Sequence, residues 1–269
     1  MCCFGGRARA IKYVGKTNLF ARAAGDRQLL AYSMNVAADE PVAMILPLPV
    51  PPRSPEDAVR FIDLHAYPKL FVDLDAGFPE IFAPQPKSRG LLARGPEQVR
   101  TLEVHKVGAF EASFVPGQAD FVRLDPRFRL SDAVWAALPR YADWGFCVFK
   151  LTELRGGWFR RATKQTIHPM VFEFPRRDPT RLFFPTVHVH DGEVHDHATF
   201  DHTLYYQAEA ALASTLPAWT AQTSPESAAA FVDVARAAGV VDGAAPVHRL
   251  VIGGAQPNVD VLLGPDVTD

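Results

Sequence analysis

The chain has 269 residues, with 28 Lys+Arg against 30 Asp+Glu and a formal charge of −2. That balance excludes the basic footprint of a general nucleic-acid binder, and 48% hydrophobic residues exclude a disordered chain. The 23 prolines and 19 phenylalanines speak against a helical bundle and for strands joined by rigid loops.

In chain order, residues 9–50 read as antiparallel strands. Gln28–Met34 is strand-like after turn chemistry at Gly25-Asp26. Val42–Leu46 is an apolar run expected to stop at Pro47, because proline cannot donate to a ladder. Ser54-Pro55-Glu56-Asp57 has the chemistry of a helix start. A short helix is expected over Tyr67–Leu74, then an extended loop over 77–98. Thr101–Val107 and Ala109–Val115 read as strands around Gly108, and Ser131 as the cap of a helix through Leu138. Trp144–Leu151 is apolar on both faces, which suits a central strand. Strands follow at Ile167–Phe174 and Leu182–His190.

The last third reads differently. Helices are expected over Ala208–Ser214 and from Ser224-Pro225-Glu226. The second has a buried stripe of Ala228, Phe231, Val232, Ala235 and Ala238 and stops at Gly239. Short strands near Leu250–Ile252 and Val259–Leu263 close the chain. The expectation is an α+β fold, mainly antiparallel sheet with a few short helices and a C-terminal helical appendage. Residues 1–206 form the core and 207–269 a helical extension packed on it, in one compact unit.

Five of the nine histidines fall between residues 188 and 202, where a uniform spread would place about half of one. The segment runs Thr186-Val187-His188-Val189-His190-Asp191-Gly192-Glu193-Val194-His195-Asp196-His197. Asp191-Gly192 between alternating runs is a strong hairpin signal. With those two residues as the turn, His188, His190, Glu193, His195 and His197 share one face, and Val187, Val189 and Val194 the other. Crowded protonated imidazoles repel, whereas neutral ones can converge on a cation. The sequence therefore predicts a metal site of His188, His190 and His195, with His197 or Glu193 as fourth ligand or support. His202 is able to reach back from the next segment. Imidazole-rich coordination without paired carboxylates favours zinc or copper, then iron, over magnesium or calcium. The plainer alternative is a solvated sheet face whose histidines bind nothing.

Other candidates carry less. Three cysteines are too few for a disulfide framework. Removal of the first methionine would leave Cys2 with a free amine as a possible base for its thiol, and the Cys2-Cys3 pair could bind a soft metal. Cys147 reads as core. His65, His105 and His168 read as structural, His168 being the nearest to a remote ligand. Arg160-Arg161 and Arg176-Arg177 read as solvated pairs. No leader-like segment and no apolar run of membrane-spanning length stands out, so the expected location is a reducing cytoplasm, with no membrane or nucleic-acid partner.

Several stretches resemble an uncharacterised, mostly exported bacterial family known only as a domain of unknown function. They are Cys2-Cys3-Phe4-Gly5, Ala43–Pro51, Phe61–Leu70, Val107–Ala112, the helix near Ser131 with Trp144–Leu151, and Pro169–Phe174. The resemblance covers about residues 2–190. It implies one α+β domain and no reaction, and no functional residue carries over. The chain departs from it in lacking a leader and in the histidine segment and the tail after it.

The functional expectation is a soluble transition-metal-binding protein. If a coordination position stays open, it would be a metal-dependent oxidoreductase or hydrolase acting on a small molecule or peptide. A metal-storage or sensing module, or a metal-free interaction protein, stands as the alternative.

Overall fold

The structure is a computed structural model. It describes residues 2–5, 11–78, 105–107, 110–151, 165–166, 168–208, 212–214 and 221–264. The chain builds mainly β-sheet. The early strands are β1 (Cys2–Gly5), β2 (Ile11–Ala24), β3 (Arg27–Ala38), β4 (Val42–Leu48), β5 (Arg60–Asp63), β6 (His105–Val107), β7 (Phe110–Val115) and β8 (Gly145–Leu151). Then come β9 (Gln165–Thr166), β10 (Met170–Pro175), β11 (Leu182–Phe184), β12 (His188–Val189) and β13 (His197–Gln207). The last four are β14 (Ala213–Ser214), β15 (Gln222–Ser227), β16 (Pro246–Pro257) and β17 (Val261–Gly264). The two α-helices are short, α1 (Leu70–Ala76) and α2 (Asp132–Ala137).

One sheet runs β12-β1-β4-β8-β7-β6. A second runs β15-β16-β13-β2-β3-β10-β5, with β9 also on β3. A small third sheet runs β11-β17-β14. The central strands of the second sheet are buried on both faces, and their alternation decides which core each residue enters. Leu19, Ala21, Leu30, Tyr32, Phe172, Leu204 and Tyr206 face the first sheet, joining Met44, Phe146 and Phe149 in one core. Phe20, Leu29, Ala31, Val171 and Tyr205 face the other way. There Leu70, Phe71 and Leu74 of α1 cover them together with Ala228, Val232, Ala237 and Val240.

Several local expectations match the structure. Gly25-Asp26 turns β2 into β3, with Gly25 at φ +63°. Ser131 caps α2, its hydroxyl accepting from the Val134 N–H at 3.4 Å. The strand expected at 144–151 is β8, between β4 and β7. β4 continues through Pro47 to Leu48. The proline is tolerated because β1 pairs with β4 only over Ala43–Ile45, so past that point only β8 lies alongside.

Two helix starts are corrected. Ser54-Pro55-Glu56 makes a single turn, the Ser54 hydroxyl donating to the Pro51 carbonyl at 2.7 Å, and the chain then enters β5. Arg60–Asp63 pairs with β10, and that ladder overrides the capping signal. Ser224-Pro225-Glu226 lies inside β15, followed by one 3-10 turn over Ala228–Ala230. Ala228 and Val232 are buried, but Ala235 and Ala238 are exposed, with Ala237 and Val240 buried instead.

The C-terminal helical appendage expected over 207–269 is therefore not what the described residues form. β16 lies along β13 for ten register pairs, and β17 pairs with β11. The tail completes the sheets of the core. Residues 209–211, most of the loop expected at 77–98, residues 101–104, Ile167 and Arg160-Arg161 lie outside the described residues.

Gly5 is required by a close backbone approach. A Cβ at this position would overlap the carbonyl oxygen and carbon of Phe128. Neither is the end of a flexible side chain, so β1 or the 3-10 turn Pro126–Phe128 would have to shift. Gly5→Ala is expected to destabilise the protein by about 2 kcal/mol, read as a lower midpoint in urea unfolding; an unchanged midpoint would show that the approach is looser.

Candidate functional site

The histidine segment does not fold as a hairpin. His188 and Val189 form β12, which runs parallel to β1 with Cys2 opposite His188 and Cys3 opposite Val189. His197 begins β13, which pairs with β16 on one side and parallel with β2 on the other. Residues 190–196 form the connection that carries the chain from the first sheet to the second. Gly192 takes φ +86°, and Asp191 folds the turn by accepting from the Glu193 N–H at 3.0 Å. The local turn signal is real, but each flanking segment has a longer-range partner, and Glu193 points into solvent.

The crossing still gathers the histidines. His188, His190, His195, His197 and His202 all line one cavity of about 410 Å³, with Thr17, Asp201 and Asn258. They do so unequally. His202 is 1% exposed, and His188 and His190 are half-buried. The His188 ring stacks on His190 at 4.9 Å, on Phe200 at 4.5 Å and on His202 at 4.9 Å between centroids. His195 and His197 sit exposed on the rim. Expected as a ligand, His195 is instead engaged with Asp191, Nε2 to Oδ2 at 2.8 Å. That contact holds the Asp191 carboxyl below the usual range and the His195 ring above it.

The inner three behave in the opposite way. Burial pushes His188 down to about 3. Burial pushes His190 down to about 4 and holds His202 well below the ordinary imidazole value. All three are neutral at pH 7, the state in which imidazole binds a cation without first losing a proton.

His188 Nε2 and His202 Nε2 lie 3.2 Å apart. Between neutral rings this is one hydrogen bond, a single N–H donating to the other ring's lone pair. Asp201 Oδ1 lies 3.8 Å from His202 Nδ1, too far for a direct bond but enough to favour the proton on that nitrogen. That tautomer leaves the His202 Nε2 lone pair facing His188. Three further polar atoms are buried without a hydrogen-bond partner: His202 Nδ1, His190 Nε2 and Thr17 Oγ1. Buried polar groups are nearly always satisfied, so such a concentration at one cavity needs a reason.

Two side-chain anchors hold the pair. Asn258 is 5% exposed, and its Oδ1 accepts from the His188 N–H at 2.7 Å. Its Nδ2 donates to the His188 and His195 carbonyls, both at 2.9 Å. The carboxylate of Asp260 accepts from the Thr186 and Val187 N–H groups at 2.9 and 3.3 Å and from the Tyr141 hydroxyl at 2.6 Å. On the other wall β2 carries a bulge, its register shifting between Gly15 and Asn18, with Lys16 at φ +52°. The Lys16 N–H donates to Asp201 Oδ2 at 2.6 Å, fastening the bulge beside Thr17.

Among the described residues no group of three or more His, Cys, Asp or Glu stands already gathered at metal-holding spacing. Met1 and the Cys2 side chain lie outside the described residues, so the proposed role for Cys2 does too. Cys3 and Cys147 are fully buried, and burial raises the Cys147 thiol. His168 packs elsewhere, 4.2 Å from the Phe110 ring and 5.5 Å from the His65 ring.

No family model matches the chain, and no curated protein matches it. The crystal structure of baculovirus P35 is similar in outline, with a TM-score of 0.46 and 12% identity over 94% of this chain and 97% of that one. A likeness this loose assigns no function. No helix among the described residues is long and apolar enough to cross a membrane.

Proposed function

We propose that this protein binds one transition-metal ion, zinc or copper, through the Nε2 atoms of His188 and His202, with His190 as the third ligand. The observation that carries the reading is the 3.2 Å approach of the Nε2 atoms of two neutral imidazoles, one buried and one half-buried. Two imidazole nitrogens on a tetrahedral zinc, each about 2.0–2.1 Å from it, lie about 3.3–3.4 Å apart, so the pair needs almost no movement to admit a cation. A turn of the His190 ring would bring in its unpartnered Nε2. Asp201 beside His202 Nδ1 occupies the place of the carboxylate that commonly orients a ligand histidine. His195 and His197, at the rim, would meet incoming ions or substrate.

A three-imidazole centre in a cavity of this size would keep a coordination position open to a small molecule, which favours hydrolytic or oxidative chemistry over storage. The test is elemental analysis of untagged protein made under metal-replete conditions. The wild type is expected to hold about one equivalent of zinc or copper, and His188→Ala/His202→Ala essentially none. Negligible metal in both proteins, or equal metal in both, would reject the site.

A further inference from the structure

A second cavity, of about 300 Å³, has Asp260 in its wall, and four arginines line it: Arg140, Arg176, Arg177 and Arg181. Two of them are committed. Arg177 forks onto Asp143, Nη1 to both carboxylate oxygens at 3.0 Å, and its Nε donates to the Val50 carbonyl at 2.9 Å. Arg181 faces Asp178 at 3.6 Å. The other two form no ion pair among the described residues, although Arg176 lies in the field of Asp178. Arg176 donates only to backbone carbonyls, those of Gly25, Pro179 and Arg181, and its Nε is buried with no hydrogen-bond partner. Arg140 rests over the Tyr141 ring at 5.9 Å and makes no ion pair among the described residues.

The four arginines are met by three carboxylates, those of Asp143, Asp178 and Asp260, and the buried, unpartnered Nε of Arg176 leaves a donor that a further anion would satisfy. The walls narrow the choice of anion. Trp144 and Phe183 meet edge to face at 5.3 Å and give the cavity an aromatic, apolar side. Asp178 and Asp260 also line it and would repel a dianion. The volume sits at the lower end of small-molecule sites, which run to roughly 300–1,000 Å³. We propose that this cavity binds a small monocarboxylate with a flat apolar body, its carboxylate held by Arg140 and Arg176 and its body against Trp144 and Phe183.

The probe is benzoate, titrated calorimetrically against wild-type protein, with benzamide as the neutral isostere and inorganic phosphate as the competing anion. Benzoate is expected to saturate one site, and benzamide to bind at least about tenfold more weakly, as expected for loss of charge-assisted hydrogen bonds. Arg176→Gln should abolish binding. Because Arg176 also ties three carbonyls, its loss can unfold the chain; Arg140→Gln removes an exposed side chain that makes no hydrogen bond or ion pair among the described residues and should weaken benzoate by about tenfold. His188→Ala/His202→Ala should leave benzoate binding unchanged, which keeps this site independent of the histidine centre. Absence of saturation at millimolar benzoate, equal binding of benzamide, wild-type affinity in Arg140→Gln, or preferential binding of phosphate would each overturn the proposal.

Discussion

Asn258→Ala is expected to lower stability by about 3 kcal/mol and, in the same protein, to weaken metal binding by about 10–100-fold. β12 is two residues long and, among the described residues, pairs only with β1, so little ladder holds His188 in place. The Asn258 side chain substitutes for it, joining the N–H and carbonyl of His188 and the carbonyl of His195. Truncation removes three hydrogen bonds at a buried position, each worth about 1 kcal/mol net, and strands the His188 groups. Asn258→Asp keeps the acceptor for the His188 N–H and loses both donors, so it should fall between wild type and alanine. Urea midpoints and zinc titration measure the two effects. A midpoint shift under about 0.5 kcal/mol, the ordinary scatter of surface changes, would mean that β12 is held by other contacts.

The second large effect is acid sensitivity of the metal-free protein. His188 titrates at about 3 and His190 at about 4 in the folded chain, against 6.5 when exposed. Below pH 6.5 the unfolded chain takes up protons that the folded chain refuses. Unfolding therefore becomes easier as pH falls, by about 1.4 kcal/mol per pH unit for each group. The loss begins near 6.5 and ends only when the folded pKa is passed, near 4 for His190 and near 3 for His188. His202 shifts in the same direction. His195 and Asp260 work the other way, both being raised, so the clean measurement is a difference. In chelator, wild type and His188→Gln are unfolded between pH 7 and 4.5. The wild type should lose more stability than the variant by about 2 kcal/mol at pH 5. Parallel curves would show that His188 is hydrated.

The histidine cluster was legible from counting alone, and so was the two-faced burial of β8. The expected hairpin does not form because Asp191-Gly192 speaks only for the local chain. The partners that separate its flanks, β1 for His188 and β2 for His202, lie about 185 residues away in sequence. The same blindness produced two false helices. Ser-Pro-Glu at 54–56 and 224–226 satisfies helix-start chemistry, but Val171-Phe172 and His248-Arg249 supply ladder partners that no local window contains. His202 was seen only as an accessory, though it is the most buried of the five, and Thr17 and Asn258 carried no signal at all. Arg176-Arg177 looked like a solvated pair because the aromatic wall beside it is built from residues 144 and 183.

The parallel pairing of β2 with β13 also orders the events of assembly. β2 and β3 can meet across a two-residue turn as soon as both are synthesised. The other edge of β2, with Leu19-Phe20-Ala21 upon it, stays bare until residues 202–207 arrive. Closing so long a loop is entropically costly and slow, and an uncovered apolar edge invites aggregation meanwhile. The imidazole pair comes into being at that same closing step. A cation present during refolding would thus act on the slowest phase, and a chain ending before residue 197 would be left with the sticky margin and no means of covering it.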